Sequence, residues 1–370
     1  MRTLIRTLKI KGMQLSGAPA GEKPKFSLPD FILEKSRAIE KLFLVLVILS
    51  VIAAPFVEVN YDLTEYLPDT VQSKQGLDLM EEKFGYPGTA RVMIEDVTLY
   101  QAKLYKDKLE AVDGVDQILW LDMGTDVYSS SSFIDSSDIA DYYKDGSAVM
   151  DVTFVEGDTS KKTSEAIDAM MEILGDKGYF TGPAVQNKSL EENVSREMNM
   201  ILALGVLMIF LILCITTNSW FEPVLYLTIM GVAILINKGT NIFLGRISFL
   251  TDSVSAVLQL AVSMDYSIFL IHAYTREKQK GIEQRQALRN AIDEALRSIF
   301  ASSLTTIVGF IVLAFMKFSI GFDMGIVLAK GIVVSLVTVV LFMPAMILRT
   351  MSLIERTAHR PFLPDFEGLS

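Results

Sequence analysis

The sequence predicts a polytopic α-helical membrane protein: six transmembrane helices, with an exterior α+β ferredoxin-like (βαββαβ) domain between the first and the second. Three observations carry this. Six apolar runs each approach the roughly 20 residues needed to cross the hydrocarbon core. The charge is segregated: residues 59–198 hold 12 Lys and Arg against 28 Asp and Glu, leaving 22 against 16 elsewhere. Within that acidic block, stretches with strand-like content alternate with stretches of helical spacing. A chain of 370 residues has room for two or three domains, and 51% hydrophobic content is too high for an ordinary soluble protein.

Residues 1–40 form a basic segment whose stretch SGAPAGEKPKFSLPD reads as a linker. No apolar core follows the first basic residues at signal-peptide distance. The first span is 41–58, and nine Lys and Arg precede or open it, placing the N-terminus in the cytoplasm. In the domain 59–198, helices are predicted at 72–84, 97–111 and about 160–175. Strands are predicted at ARVMIED (90–96), VDQILWLD (115–122), SAVMDVTFVEG (147–157) and GYFTGPAV (178–185). Between 122 and 146 lies a Ser/Asp-rich surface insertion with no EF-hand spacing.

An amphipathic helix at 186–198 leads into the membrane block 199–349. Its spans are predicted at 198–217, from about 223 to Asn237–Asn241, and at 249–274, 300–316 and 325–348. Asn237, Lys238 and Asn241 read as the exit of the third span, with Lys238 snorkelling. The connector 275–299 carries six Lys and Arg and an apolar stripe of Leu288, Ile292, Leu296 and Ile299, as a cytoplasmic amphipathic segment should. The tail 350–370 is again cytoplasmic. A single Cys, Cys214, excludes an internal disulfide framework, and two His offer no metal cluster. No G-x-x-x-x-G-K-[ST] loop is present, so no nucleotide is expected. The segregated charge suggests two compartments rather than a nucleic-acid partner, and no cofactor, metal or enzymatic activity is expected.

The residue that stands out is Asp265, in SMDYSIFL deep within the fourth span. An ionisable group there costs about 2.5–3.5 kcal/mol and marks an ion or substrate pathway by default. The plainer reading is a carboxylate that pairs with another span to hold the bundle. Tyr266 follows with a phenol able to hydrogen-bond a carboxyl group. Asp323 and Lys330 are seven residues apart and share one face of the sixth span. Lys330 needs a partner or water at that depth, and both a functional role and a structural pairing stay open.

The segments DYSIFLIHAYTREKQKG, ALRNAIDEAL, SSLTTIVGF, DMGIVLAKGI and LFMPAMI occur in that order. Together they resemble the membrane domain of MMPL-type transporters of the resistance-nodulation-division superfamily, which also contains sterol-sensing-domain proteins. The resemblance implies proton-driven export of hydrophobic or lipid-like molecules across a bacterial cytoplasmic membrane. It implies that Asp265 and Tyr266 form the proton relay, and Thr305 and Thr306 fall where fifth-span hydroxyls occur in the family. Full-length members have two such halves and two exterior domains. This chain therefore reads as a half-transporter that pairs with a second copy or a complementary half, or as a truncated product. Two other readings share the fold: a secretion-accessory subunit and a non-transporting sterol-sensing receptor or scaffold. DYSIFLIHAYTRE favours the transporter.

Overall fold

The computed structural model describes residues 27–123 and 140–359. The N-terminal basic stretch to residue 26, most of the Ser/Asp-rich insertion and the end of the tail lie outside them. Among the described residues, six helices are long and apolar enough to cross a membrane: Ser36–Phe56, Pro183–Thr216, Glu222–Leu244, Phe249–Gln279, Gln284–Leu313 and Ser319–Arg356, spans one to six. The chain is a multi-pass membrane protein. Spans four and six form the centre of the bundle, with 44% and 61% of their apolar windows buried against 11% for spans two and five. The latter two therefore present most of their surface outward. Among lipid tails no hydrophobic force separates helix from solvent, so close packing and polar contacts hold the spans together.

Span six is not uniform. It is α-helical from Ser319 to Val337, widens into a π turn at Thr338–Phe342, and resumes as α-helix from Met343 to Arg356. Pro344 explains the widening, because its ring crowds the carbonyl four residues back and it has no N–H to donate.

Between spans one and two lies an α+β unit. Its elements run β2 (Thr89–Ile94), helix Leu99–Glu110, β3 (Val115–Leu119), β5 (Ser147–Phe154), helix Lys161–Leu174 and β6 (Gly178–Thr181). The sheet order is β3-β5-β2-β6 with every neighbouring pair antiparallel, and the short β4 (Tyr143–Lys144) adds to β5. Alternation along the strands sends Ala148, Met150, Val152 and Phe154 of β5, and Ala90, Val92 and Ile94 of β2, to one face. There they meet Ala102 and Leu109 of one helix and Ala166, Ile167 and Met170 of the other. Each large side chain fully buried in this core contributes about 1.5–3 kcal/mol. The helix at Leu99 starts with a capping box, in which Thr98 and Gln101 each accept the other's backbone N–H; such caps contribute about 1 kcal/mol. A separate parallel pair, β1 (Glu58–Asn60) with β7 (Arg246–Ser248), ties the chain just after span one to the segment before span four.

Several boundaries differ from the sequence reading. The strand expected over 178–185 ends at Thr181, and Pro183 opens span two, which runs unbroken for 34 residues. The amphipathic helix and the second span are thus one rod about 50 Å long. The connector 275–299 is no separate element: span four continues to Gln279, the chain turns, and span five begins at Gln284. Its stripe is sequestered under the bundle, with Leu288, Ile292 and Ile299 buried. Span six begins at Ser319, taking in Asp323. A short helix, Leu28–Glu34, packs Ile32 and Leu33 into the same core, although no periodic pattern announced it. Helical hydrogen bonding does not stop where hydropathy does, which is why composition misplaced these ends.

Gly182 makes the sharp exit from β6 possible. Its φ is +112°, and a β carbon there would lie 2.9 Å from Ala90 Cα. We expect Gly182→Ala to destabilise the α+β unit by about 1–3 kcal/mol. Buried Trp120 reports this as an earlier thermal transition in a Trp220→Phe background; an unchanged midpoint contradicts the close approach.

Candidate functional site

Span four carries Thr251, Ser255, Gln259, Ser263 and Ser267 at intervals of four residues, and all five are buried. Each fourth position sits about 40° further round the helix, so the five sweep a broad inner side of span four, with Gln259 at its middle facing spans three and six across a polar seam. Gln259 is the hub. Its Oε1 accepts from Asn237 Nδ2 of span three at 2.9 Å, and its Nε2 donates to the Gly331 carbonyl at 3.1 Å and Ser335 Oγ at 3.0 Å, both of span six. Beside this hub Lys330 directs its ammonium at three neutral oxygens: the Asn237 carbonyl at 3.0 Å, Thr240 Oγ1 at 2.9 Å and Asn241 Oδ1 at 2.6 Å. Among the described residues, Asn237 Oδ1 and Asn241 Nδ2 of span three and the hydroxyls of Thr251, Ser263, Tyr266 and Ser267 of span four are also buried without a protein partner. A buried polar group left unpaired costs about 1–3 kcal/mol. Two of these groups belong to Asn237 and Asn241, each of which also offers an oxygen to the Lys330 ammonium, which is more than the small-residue packing that hydroxyl stripes usually provide.

Asp265 is not on this seam. It lies two residues from both Ser263 and Ser267, hence roughly 200° around the helix, and its side chain is exposed on the flank of span four with Ala261, Phe269 and His272. It makes no hydrogen bond or ion pair among the described residues. Tyr266, next along, points inward and is fully enclosed. Its phenol neighbours the Thr306 hydroxyl of span five, but the geometry falls short of a hydrogen bond. Thr306 and Thr305 instead donate to the carbonyls of Ser302 and Ala301, at 3.2 and 3.1 Å. Thr306 is half-buried and Thr305 exposed.

Asp323 and Lys330 do not pair. Asp323 lies about 11 Å nearer the α+β end of span six, where it accepts from Ser248 N at 3.0 Å and from the Tyr66 hydroxyl. Around it the chain leaving span one is knotted to the heads of other spans. Arg246 bonds Glu65 at 3.3 Å, Asn60 bonds Glu65 at 2.6 Å, and Tyr61 stacks on Phe249 with centroids 5.5 Å apart. Burial, reinforced by the charges of Asp323 and Glu65, pushes the Tyr66 phenol up to about 12.

Sequence reading put Asn237 and Asn241 at the exit of span three. They are at its end but turn inward, and Lys238 bonds Asp252 at 3.2 Å instead of reaching out alone. Gln259 and its hydroxyl neighbours went unremarked. Their signal was present as polar residues recurring every fourth position in an otherwise apolar run.

The profile described as MMPL family matches residues 65–354. Membrane protein MJ1562 of Methanocaldococcus jannaschii is 27% identical over 222 residues, covering 57% of this chain and 55% of its own. YdgH of Bacillus subtilis is 22% identical over 258 residues, covering 68% of this chain and 28% of its own. The siderophore exporter MmpL5 of Mycobacterium tuberculosis is 25% identical over 197 residues, covering 51% and 20%. The matched region thus spans about half the length of the first of these relatives and less of the others. Among solved structures, SecDF, a translocon-associated membrane protein from Thermus, aligns with a TM-score of 0.49 at 16% identity, covering 89% of this chain and 40% of that one.

Two expectations follow from the geometry. An alanine methyl at Gly331 would lie 2.8 Å from Asn237 Nδ2 and 3.2 Å from Gln259 Oε1, whereas Gly231 has open space around it. Gly331→Ala should lower the thermal midpoint in detergent, at a cost of about 1–3 kcal/mol, while Gly231→Ala leaves it unchanged or raises it slightly. Equal effects contradict the seam. Separately, the fold holds the Tyr66 phenol neutral. Its contribution is complete below the ordinary tyrosine value of 10.0 and is lost as pH rises toward about 12. Thermal stability should therefore fall between those limits, and Tyr66→Phe should blunt the fall; an identical profile for both proteins rules the knot out as its source.

Proposed function

We infer that this chain, which belongs to the MMPL family, works as one half of a proton-driven exporter of hydrophobic or lipid-like molecules. The observation that carries the reading is the pair on span four: an outward, unpartnered Asp265 beside an enclosed Tyr266. A carboxyl group facing lipid carries an insertion cost of about 2.5–3.5 kcal/mol. A facing half removes that cost by giving Asp265 partners, so a second copy or a complementary half packs against the flank bearing Ala261, Asp265 and Phe269. Export of an organic molecule is in keeping with the name of one relative, the siderophore exporter MmpL5.

In this scheme Asp265 alternates between protonated and ionised forms at the interface between halves, biasing two packings of the bundle. Tyr266, enclosed beside Thr306, hydrogen-bonds one of those forms only in the alternate packing of the bundle, and Thr305 faces the partner. Lys330 is a fixed positive group in the seam, and Asp323 anchors the joint to the α+β unit. Residues 59–198 serve as the exterior porter-like domain. The strand order β6-β2-β5-β3, with both helices packed on one face, supports a ferredoxin-like identity for it. Span two, rigid from Pro183 to Thr216, transmits motion between domain and bundle. The chain sits in the bacterial cytoplasmic membrane with both termini in the cytoplasm, the orientation that the Lys and Arg bias favours.

Asp265→Asn keeps the shape and removes the titration. In inverted vesicles loaded with a fluorescent amphiphile, we expect at least a tenfold loss of export driven by a proton gradient, with the assembled mass unchanged. Wild-type export by the Asn variant sinks the relay. In a Cys214→Ser background, Ala261→Cys should give a disulfide-linked dimer if the partner is a second copy. Wild-type protein that is monomeric in the membrane and still transports refutes the half-transporter reading.

A further inference from the structure

We propose a binding site for an anionic glycerophospholipid in the groove between spans one, three and six, at the end of the bundle away from the α+β unit. The groove is a cavity of about 810 Å³. Its inner walls are apolar, built from Val232 and from Phe43 and Phe342, whose rings stack with centroids 4.9 Å apart. The π turn of span six ends at Phe342, so that irregular turn shapes one wall.

The rim is basic. Arg37, Lys41 and Arg349 line the mouth, with Glu40 as the one carboxylate. Glu40 is already bonded to Arg349 at 2.9 Å. Arg37 and Lys41 are both exposed and make no hydrogen bond or ion pair among the described residues. They are four residues apart, so they stand one above the other on the same face of span one. Two stacked cations repel each other by a few tenths of a kcal/mol, and a phosphodiester set between them replaces that repulsion with charge-assisted hydrogen bonds.

Lone interfacial Lys and Arg side chains simply reach for water. These two instead cap a cavity that continues along span one to Val47, roughly 9 Å beyond Lys41 and 15 Å beyond Arg37. Phosphate at the mouth and an acyl chain along the apolar walls match that layout. Charge selects the lipid: a zwitterionic headgroup would bring a second cation against Arg37 and Lys41, whereas an anionic one brings none. A free phosphate leaves the apolar walls without a role. The site is separate from the Asp265 flank and does not depend on what the chain transports.

The test uses the purified, delipidated full chain in detergent and native mass spectrometry. Phosphatidylglycerol and phosphatidylcholine of identical acyl chains are offered in parallel, with glycerol 3-phosphate as the free anion. We expect one phosphatidylglycerol retained per chain and at least tenfold less phosphatidylcholine. In the double variant Arg37→Gln, Lys41→Gln, phosphatidylglycerol should drop to the phosphatidylcholine level. Neither residue has a partner to lose, so the thermal midpoint in phosphatidylcholine should match wild type. Equal retention of the two lipids, or full retention by the double variant, overturns the proposal. Displacement by glycerol 3-phosphate alone would make this a free-anion site and also overturn it. So would a double variant that loses its dimer rather than its lipid, which would assign the groove to a second copy.

Discussion

The Gln259 amide is the contact on which the membrane bundle depends. Among hydrocarbon chains an amide has no water to turn to, so its two donors and its acceptor must be met by protein. Here they are met at once by spans three and six, through Asn237, Gly331 and Ser335. Apolar packing alone is weakly directional, and a slide of one helix past another by a residue costs it little. The same slide, about 1.5 Å along the axis, breaks all three bonds to Gln259. The Lys330 ammonium adds a second fixed point, because its three acceptors all come from the end of span three.

With three spans locked in register, the placement of everything else on them follows. Once Gln259, Ser263 and Ser267 face the seam, Asp265 must face the opposite way. Span four therefore has two polar sides of different character, one enclosed and fixed through the Gln259 amide and one bare at its flank. Spans two and five turn most of their apolar windows outward, although the first part of span five packs Leu288, Ile292 and Ile299 into the core, and Thr306 of span five neighbours Tyr266. The outward position of Asp265 is thus a consequence of which face of span four carries Gln259.

The segment that leads from span one toward the α+β unit joins this bundle through polar contacts. The β1–β7 pair, the bonds of Asp323 to Ser248 and Tyr66, and the bonds of Arg246 and Asn60 to Glu65 gather the heads of spans four and six around the chain leaving span one. Span two supplies the other connection as a single helix. One attachment is a knot of side chains and the other a single continuous helix.

The sequence by itself determined the number of spans, the alternation of strands and helices in the acidic block, the family, and Asp265 as the conspicuous carboxylate. These are legible because hydropathy and periodicity are local, and a charge in an apolar run needs no partner to be noticed. The ends of the helices were less legible: spans two and five run past the apolar runs that announced them, since backbone hydrogen bonds continue wherever nothing interrupts them. Only the tertiary structure decided what the polar residues do. Asp323 and Lys330 share a helical face in the sequence, yet one answers to Tyr66 and Ser248 and the other to Asn237, Thr240 and Asn241. Asn237 and Asn241 have the composition of a helix exit and the position of an interior site. A polar group in a membrane is defined by the partner that satisfies it, and that partner lies on another helix, distant along the chain.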